Sequence, residues 1–244
     1  ILIYRFMGVT KKIYDIIFYK KNLISKLFLN AIKLKDKIII STNDGSWAEI
    51  MKKKLHEKNF YLFFNGNDFK TKKYLPSKNK KLKILYSSRI EPGKGHFELL
   101  EILFLLKKNK VDFLVTIIGN GSLKSQIIKK IESLNLKKNV KFTGNIESKK
   151  VEKYLENTDL FISINFFGVF GNNYIEAASK GVPIIALDNE LVSKKYKKYF
   201  YKIKDYNFRK TANFIYTIND YNFRKTANFI TRFSKSIKLR KKYS

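Results

Sequence analysis

Residues 83–121 read KILYSSRIEPGKGHFELLEILFLLKKNKVDFLVTIIGNG, and the order of patterns inside that stretch decides the fold class. Lys83–Ser88 is a short, nearly continuous apolar run of the kind that fits a strand buried on both faces, and a Pro/Gly turn follows it. His96–Lys107 repeats apolar residues at helical spacing, and Phe113–Ile118 is a second β-rich run closed by Gly119-Asn120-Gly121. The alternation continues: Ser122–Leu134 reads as a helix, Val140–Phe142 as a strand, Ser148–Asn157 as a helix, Leu160–Ile164 as a strand, Asn172–Lys180 as a helix and Val182–Ala186 as a strand. Apolar strands alternating with amphipathic helices predict an α/β fold, a parallel sheet with helices on both faces. Ligands of such sheets meet the carboxyl ends of the strands, so the loops after the strands are where function is expected.

Upstream, Lys37–Ser41 reads as a strand, Asp44–His56 as a helix with Ser41, Thr42 and Asn43 as N-cap candidates, and Phe60–Phe64 as a strand closed by the turn Asn65-Gly66-Asn67-Asp68. Residues 69–80 are polar, rich in Lys and contain Pro76, which suits a linker. The expected organisation is a partial α/β piece over 1–68, a linker over 69–80, the main sheet unit over 81–190 and a basic helical tail over 191–244. In that tail Asp205–Ile215 (DYNFRKTANFI) recurs unchanged as Asp220–Ile230, a repeat of 15 residues. Two copies fall short of a solenoid, which needs about three. A short in-frame duplication explains them, since 15 residues span close to four helical turns of ~3.6 residues. Residues 207–218 and 222–242 read as basic amphipathic helices. The first residues, Ile1–Arg5, are too short an apolar run for a signal peptide and do not start with Met, so the true start is expected upstream.

The 244 residues carry 51 Lys+Arg against 20 Asp+Glu, a net charge of +31, with 44% hydrophobic residues and no Cys. That apolar content rules out a wholly disordered chain, and the missing Cys rules out disulfides and Cys-based zinc sites. Lys or Asn interrupts every apolar stretch before it reaches the ~18 residues of a membrane-spanning helix. So strong a charge invites a nucleic-acid partner. Yet 45 of the 51 basic residues are Lys and only 6 are Arg, whereas base-edge and bidentate phosphate recognition draws on Arg. Lys-coated solvated faces, the imprint of an A/T-rich coding sequence, account for the charge as well. Residues 1–80 hold 18 basic and 6 acidic side chains, 81–190 hold 17 and 12, and 191–244 hold 16 and 2, so the excess lies in the flanks.

Three segments could carry chemistry. In Ser87–Gly95, Arg89 and Lys94 flank a Pro/Gly turn between a strand and a helix start, a setting for a diphosphate; taken alone it also reads as a turn with two solvated cations. Gly119-Asn120-Gly121-Ser122 is a strand-to-helix turn without the third glycine and downstream acid of a dinucleotide fingerprint, so in isolation a tight βα turn explains it. From Gly168 to Pro183 a glycine loop leads into a helix that carries Glu176 and ends at Gly181; the carboxylate could accept sugar hydroxyls or simply face solvent.

Together, the order and spacing of these segments resemble the nucleotide-sugar-binding domain of the family 4 glycosyltransferases, enzymes of the GT-B fold with two Rossmann-like domains. Arg89 and Lys94 match the family's Arg and Lys; Phe113–Gly121 resembles its strand and Gly-x-Gly turn; Val140–Gly144 its V-x-F-x-G strand; and Glu176–Pro183 its E-A-x-x-x-G-x-P segment. The resemblance covers roughly 83–190 and, more faintly, Phe64–Asp68 as the N-G-x-D exit of the acceptor-side domain, which makes 1–68 the end of that domain. It implies a hexosyltransferase that moves a sugar from a nucleotide-sugar donor to a cell-surface glycan or lipid-linked acceptor with retention, and without cofactor or metal. Arg89 and Lys94 would be catalytic, neutralising the leaving diphosphate. Glu176 would hold the ribose, and Gly119, Gly121, Gly144, Phe170, Gly171 and Asn172 would line the donor. Gly168 stands where the family carries a first Glu, and Asn165 is the nearest polar substitute. The histidines His56 and His96 are expected at the surface. The implied localisation is cytoplasmic, free or peripheral on the inner face of the membrane. The competing readings are a module that binds polyanions or a membrane surface through its basic flanks, nucleic acid being disfavoured, and an inactive fragment of such an enzyme.

Overall fold

Three short strands, β1 (Leu2–Phe6), β2 (Lys37–Thr42) and β3 (Phe60–Phe63), pair in parallel in that order, with Tyr4 beside Ile39 and Ile39 beside Phe60. Side chains alternate along a strand, so these three residues share a face. There they pack with Tyr14 and Ile17 of α1 (Lys11–Phe18) and Ala48 and Met51 of α3 (Ala48–Leu55). Helix α2 (Leu23–Ile32) joins the same layer through the edge-to-face contact of Phe28 with Phe6 at 5.6 Å. On the alternate positions Ile3, Tyr61 and Phe63 are exposed. This computed structural model describes residues 2–6, 9, 11–19, 22–32, 37–42, 47–56, 58–63, 81–166, 171–187 and 201–203. The chain divides into two compact units, the first mainly residues 1–66 and the second mainly residues 67–166, 173–188 and 197–244.

The second unit is a six-stranded parallel sheet. Its strands are β4 (Leu82–Ser87), β5 (Phe113–Ile118), β6 (Val140–Gly144), β7 (Leu160–Ser163), β8 (Ile184–Leu187) and β9 (Tyr201–Ile203), in the spatial order β6-β5-β4-β7-β8-β9. The chain steps outward from β4 to β6, returns, and steps outward again from β7 to β9. The order therefore reverses between β4 and β7, the switch point of a doubly wound sheet. Right-handed crossovers put α4 (His96–Lys108) and α5 (Lys124–Ser133) on one face and α6 (Ser148–Glu156) and α7 (Asn172–Ser179) on the other.

The packing agrees. Ile84, Tyr86, Val115, Ile117 and Ile162 form one core with Leu99, Leu103 and Ile127 of α4 and α5. Phe161 turns the other way and meets Tyr174 of α7 at 6.3 Å. Lys180, just past α7, is buried and pairs with Glu152 and Glu156 of α6, the latter at 3.5 Å. Gly181 at φ 70 then ends the helix, with its N–H on Ala178 O and the Val182 N–H on Ala177 O.

Every strand and helix expected between 83 and 190 is present, with ends moved by one or two residues. The helix expected from Asp44 is described from Ala48, and Ser41 and Thr42 belong to β2 instead of capping it; Trp47 stands at the cap position and makes no side-chain capping hydrogen bond. Strand β1, helices α1 and α2, and β9 were not anticipated. The linker, the turn Asn65–Asp68, Phe170, Gly168 and the duplicated segment with its two expected helices lie outside the described residues.

Candidate functional site

The turn after β4 runs along the switch point and is fastened on both flanks. On the β7 side the Tyr86 hydroxyl donates to Lys94 O at 2.5 Å and accepts from the Ile164 N–H at 3.3 Å, while the Phe166 N–H reaches Gly93 O at 3.1 Å. On the β5 side the Ile90 N–H donates to Asn120 O at 2.9 Å and the Leu123 N–H to Ile90 O at 3.1 Å. Glu91 adds a two-pronged contact, accepting from the Ser122 N–H at 3.0 Å and the Ser122 hydroxyl at 2.6 Å. These two bonds, helped by Arg89, hold its carboxyl below the usual range.

Arg89 is exposed and Lys94 half-buried on this turn. The Lys94 ammonium donates to Asn165 Oδ1 at 3.4 Å, directly across the gap between β4 and β7. Burial first, and the Arg89 charge second, lower the Lys94 pKa. The attraction of an anion offsets both effects, so this lysine is disposed to take one. Helix α4 starts immediately afterwards, behind Gly95 and without a side-chain cap.

His96 corrects the expectation of a surface histidine. It is 2% exposed, because the first turn of α4 packs onto β4 and places the imidazole edge-on to Tyr86 at 5.1 Å. Neither ring nitrogen has a hydrogen-bond partner. Burial, followed by the Lys94 charge, pushes its pKa down to about 4, so the ring is neutral at physiological pH and leaves Arg89 and Lys94 as the cations of the turn. His56 is exposed at the end of α3.

The two neighbouring βα turns join this one. Gly119 has φ 135, and a Cβ there would lie 2.0 Å from Ser88 O, which accounts for glycine at the end of β5. Its N–H donates to Gly144 O at 2.9 Å, tying the turns after β5 and β6 together. On α7, Asn173 Nδ2 donates to Ser87 O at 2.8 Å, which brings the start of that helix to the end of β4. Glu176 lies one turn further on, half-buried, with its pKa raised by desolvation. Gly171 and Asn172 open α7.

Arg89, Lys94, Gly119, Gly121 and Gly144 are thus gathered on hydrogen-bonded turns at the carboxyl edge of one sheet. Sequence reasoning passed over Tyr86, Glu91 and Asn173, whose partners lie 8 to 86 residues away. Two cations beside an uncapped helix start are chemically suited to an anion with several negative oxygens. Among the described residues no three His, Asp or Glu side chains are placed to hold a metal ion, and no helix is long and apolar enough to cross a membrane.

The strand order and these switch-point turns define a Rossmann-like domain. The sequence model of the group 1 glycosyl transferases matches residues 67–212, and the chain belongs to that family. It is 31% identical over 106 residues to the 2-deoxystreptamine N-acetyl-D-glucosaminyltransferase of Niallia circulans, covering 43% of this chain and 27% of that one. It is 24% identical over 182 residues to the N-acetylgalactosamine-N,N'-diacetylbacillosaminyl-diphospho-undecaprenol 4-alpha-N-acetylgalactosaminyltransferase of Campylobacter jejuni, covering 71% and 48%. The chain therefore spans between about a quarter and a half of the length of these relatives. Its fold superimposes on the Anabaena HepE structure in complex with UDP and glucose with a TM-score of 0.72 at 18% identity, over 96% of this chain and 66% of that one.

Proposed function

We propose that the protein is a hexosyltransferase that moves a sugar from a nucleotide-sugar donor to a cell-surface glycan or a lipid-linked acceptor, with retention at the anomeric carbon and without a required metal. Residues 81–190 form the donor side, and 1–68 the end of the acceptor-side domain. The observation that carries this reading is the placement of Arg89 and Lys94 on one fastened turn at the switch point, with Lys94 reaching across it to Asn165 at 3.4 Å. As the bond from the anomeric carbon to the β-phosphate oxygen breaks, negative charge grows on the diphosphate, and these two cations stabilise it where it develops. The acceptor hydroxyl forms the new bond on the same face of the sugar and passes its proton to the departing β-phosphate oxygen. Glu176 accepts from the ribose hydroxyls, and Gly119, Gly121 and Gly144 line the donor. The transferase names of both relatives support the reading, and the Campylobacter one names a lipid-linked acceptor. Such an acceptor would put the reaction at the cytoplasmic surface of the membrane. The basic segment 191–244 would assist there, each Lys or Arg contributing ~1 kcal/mol near an anionic leaflet.

Calorimetry with UDP-, GDP- and ADP-sugars tests the proposal. One of them binds the folded wild-type chain, and Lys94→Ala weakens that binding by about tenfold or more, the loss of one charge-assisted contact. Folded protein that binds none of the three defeats it.

A further inference from the structure

Glu91 is out of place in a turn built for an anion. It lies two residues after Arg89 and three before Lys94, and a carboxylate so close to a diphosphate opposes its binding. The structure gives that charge another employment: both oxygens are taken up by Ser122, at 3.0 Å from its N–H and 2.6 Å from its hydroxyl. The approach between the two turns is so close that a Cβ on Gly121 would fall 2.8 Å from Glu91 Oε1 and 2.3 Å from Ile90 O. Tyr86 and the Phe166 N–H secure the Lys94 end of the turn, and Glu91 is the side-chain tie at the Arg89 end.

We propose that Glu91 is a positioning residue, a latch that ties the turn 89–95 to the start of α5 and so sets where Arg89 and Lys94 stand toward a diphosphate. The inference rests on the donor reading above. It also makes a prediction of unusual sign. As a mere neighbouring charge, Glu91 repels the ligand, and its removal tightens binding; as a latch, its removal weakens binding although a negative charge has gone.

The experiment titrates UDP, GDP and ADP into the full chain as wild type, Glu91→Ala, Glu91→Gln and Ser122→Ala, and follows backbone amide exchange of residues 89–95 without ligand. Glu91→Ala is expected to weaken binding on the order of fivefold, the usual coupling within one hydrogen-bond network, and to speed exchange. Glu91→Gln keeps both bonds, its amide oxygen accepting the Ser122 N–H and its amide nitrogen donating to the hydroxyl oxygen, and it restores wild-type affinity or better with wild-type exchange. Ser122→Ala, which keeps the N–H, falls between. Unchanged or tighter binding by Glu91→Ala overturns the proposal. Wild-type protein that binds none of the three diphosphates is instead a failure of the donor reading, and the exchange rates of the unliganded variants then decide by themselves whether the latch exists.

Discussion

Replacing His96 with phenylalanine should make the protein resist acid. The imidazole is 2% exposed, has no hydrogen-bond partner on either nitrogen, and is held neutral down to about 4 by burial and by the charge of Lys94, against 6.5 for a free histidine. Above pH 6.5 the ring is neutral whether the chain is folded or not, so it adds no pH dependence. Between 6.5 and about 4 the unfolded chain takes up the proton first, and stability falls with pH. A gap of about 2.5 units, at ~1.4 kcal/mol per unit, costs roughly 3 kcal/mol by the time the folded ring titrates. Phenylalanine keeps the edge-to-face contact with Tyr86 and removes the proton site. Urea unfolding followed by far-UV circular dichroism at a series of pH values gives the test. The two proteins should differ little near neutrality, and the variant should gain on the wild type by roughly 2–3 kcal/mol as the pH drops toward 4.5. The Asp and Glu carboxylates are the same in both proteins, so their titration cancels in the comparison. Stability curves that stay parallel across the range would show that His96 is not held neutral and that its burial does not govern its proton.

Two further outcomes separate backbone constraint from side-chain contact. Gly119→Ala should destabilise the protein by ~2 kcal/mol or more, since its new methyl would meet the backbone of Ser88, while Gly144→Ala, with φ 71 and nothing within 4 Å of the added carbon, should cost only ~1 kcal/mol of left-handed strain; chemical denaturation of both variants checks the order. Tyr86→Phe removes the hydroxyl shared by Lys94 O and the Ile164 N–H and should cost ~1–3 kcal/mol in the same assay, with weaker nucleotide binding because the turn loses its tie to β7.

The inner strands of the second sheet were legible because both their faces are covered. Strands such as Leu160–Ser163 and Ile184–Leu187 are buried at every position, so they stand out as apolar runs between Gly, Pro and Asn. In the first unit burial is one-sided. Ile3 and Arg5 of β1 are exposed and only alternate positions pack, which leaves five residues of weak alternation that no local rule separates from a loop. For the candidate site the dividing line is different. Arg89, Lys94 and the glycines could be recognised because a turn between a strand and a helix is a local event that a few adjacent residues specify. What aims them is not local. Gly95 is required by Ile164, whose carbonyl oxygen would lie 2.3 Å from a Cβ there, 69 positions along the chain; Glu91 is answered by Ser122, 31 positions on; and Ser87 is answered by Asn173, 86 positions on. A lone His after Gly-Lys-Gly looks polar and solvated until β4 and α4 close over it. The groups that meet a ligand are thus written in neighbouring residues, and the groups that hold them in place are written in the strand order. Substitutions that disturb positioning without touching the cations will therefore scatter through the sequence and converge only at the junction of β4, β5 and β7.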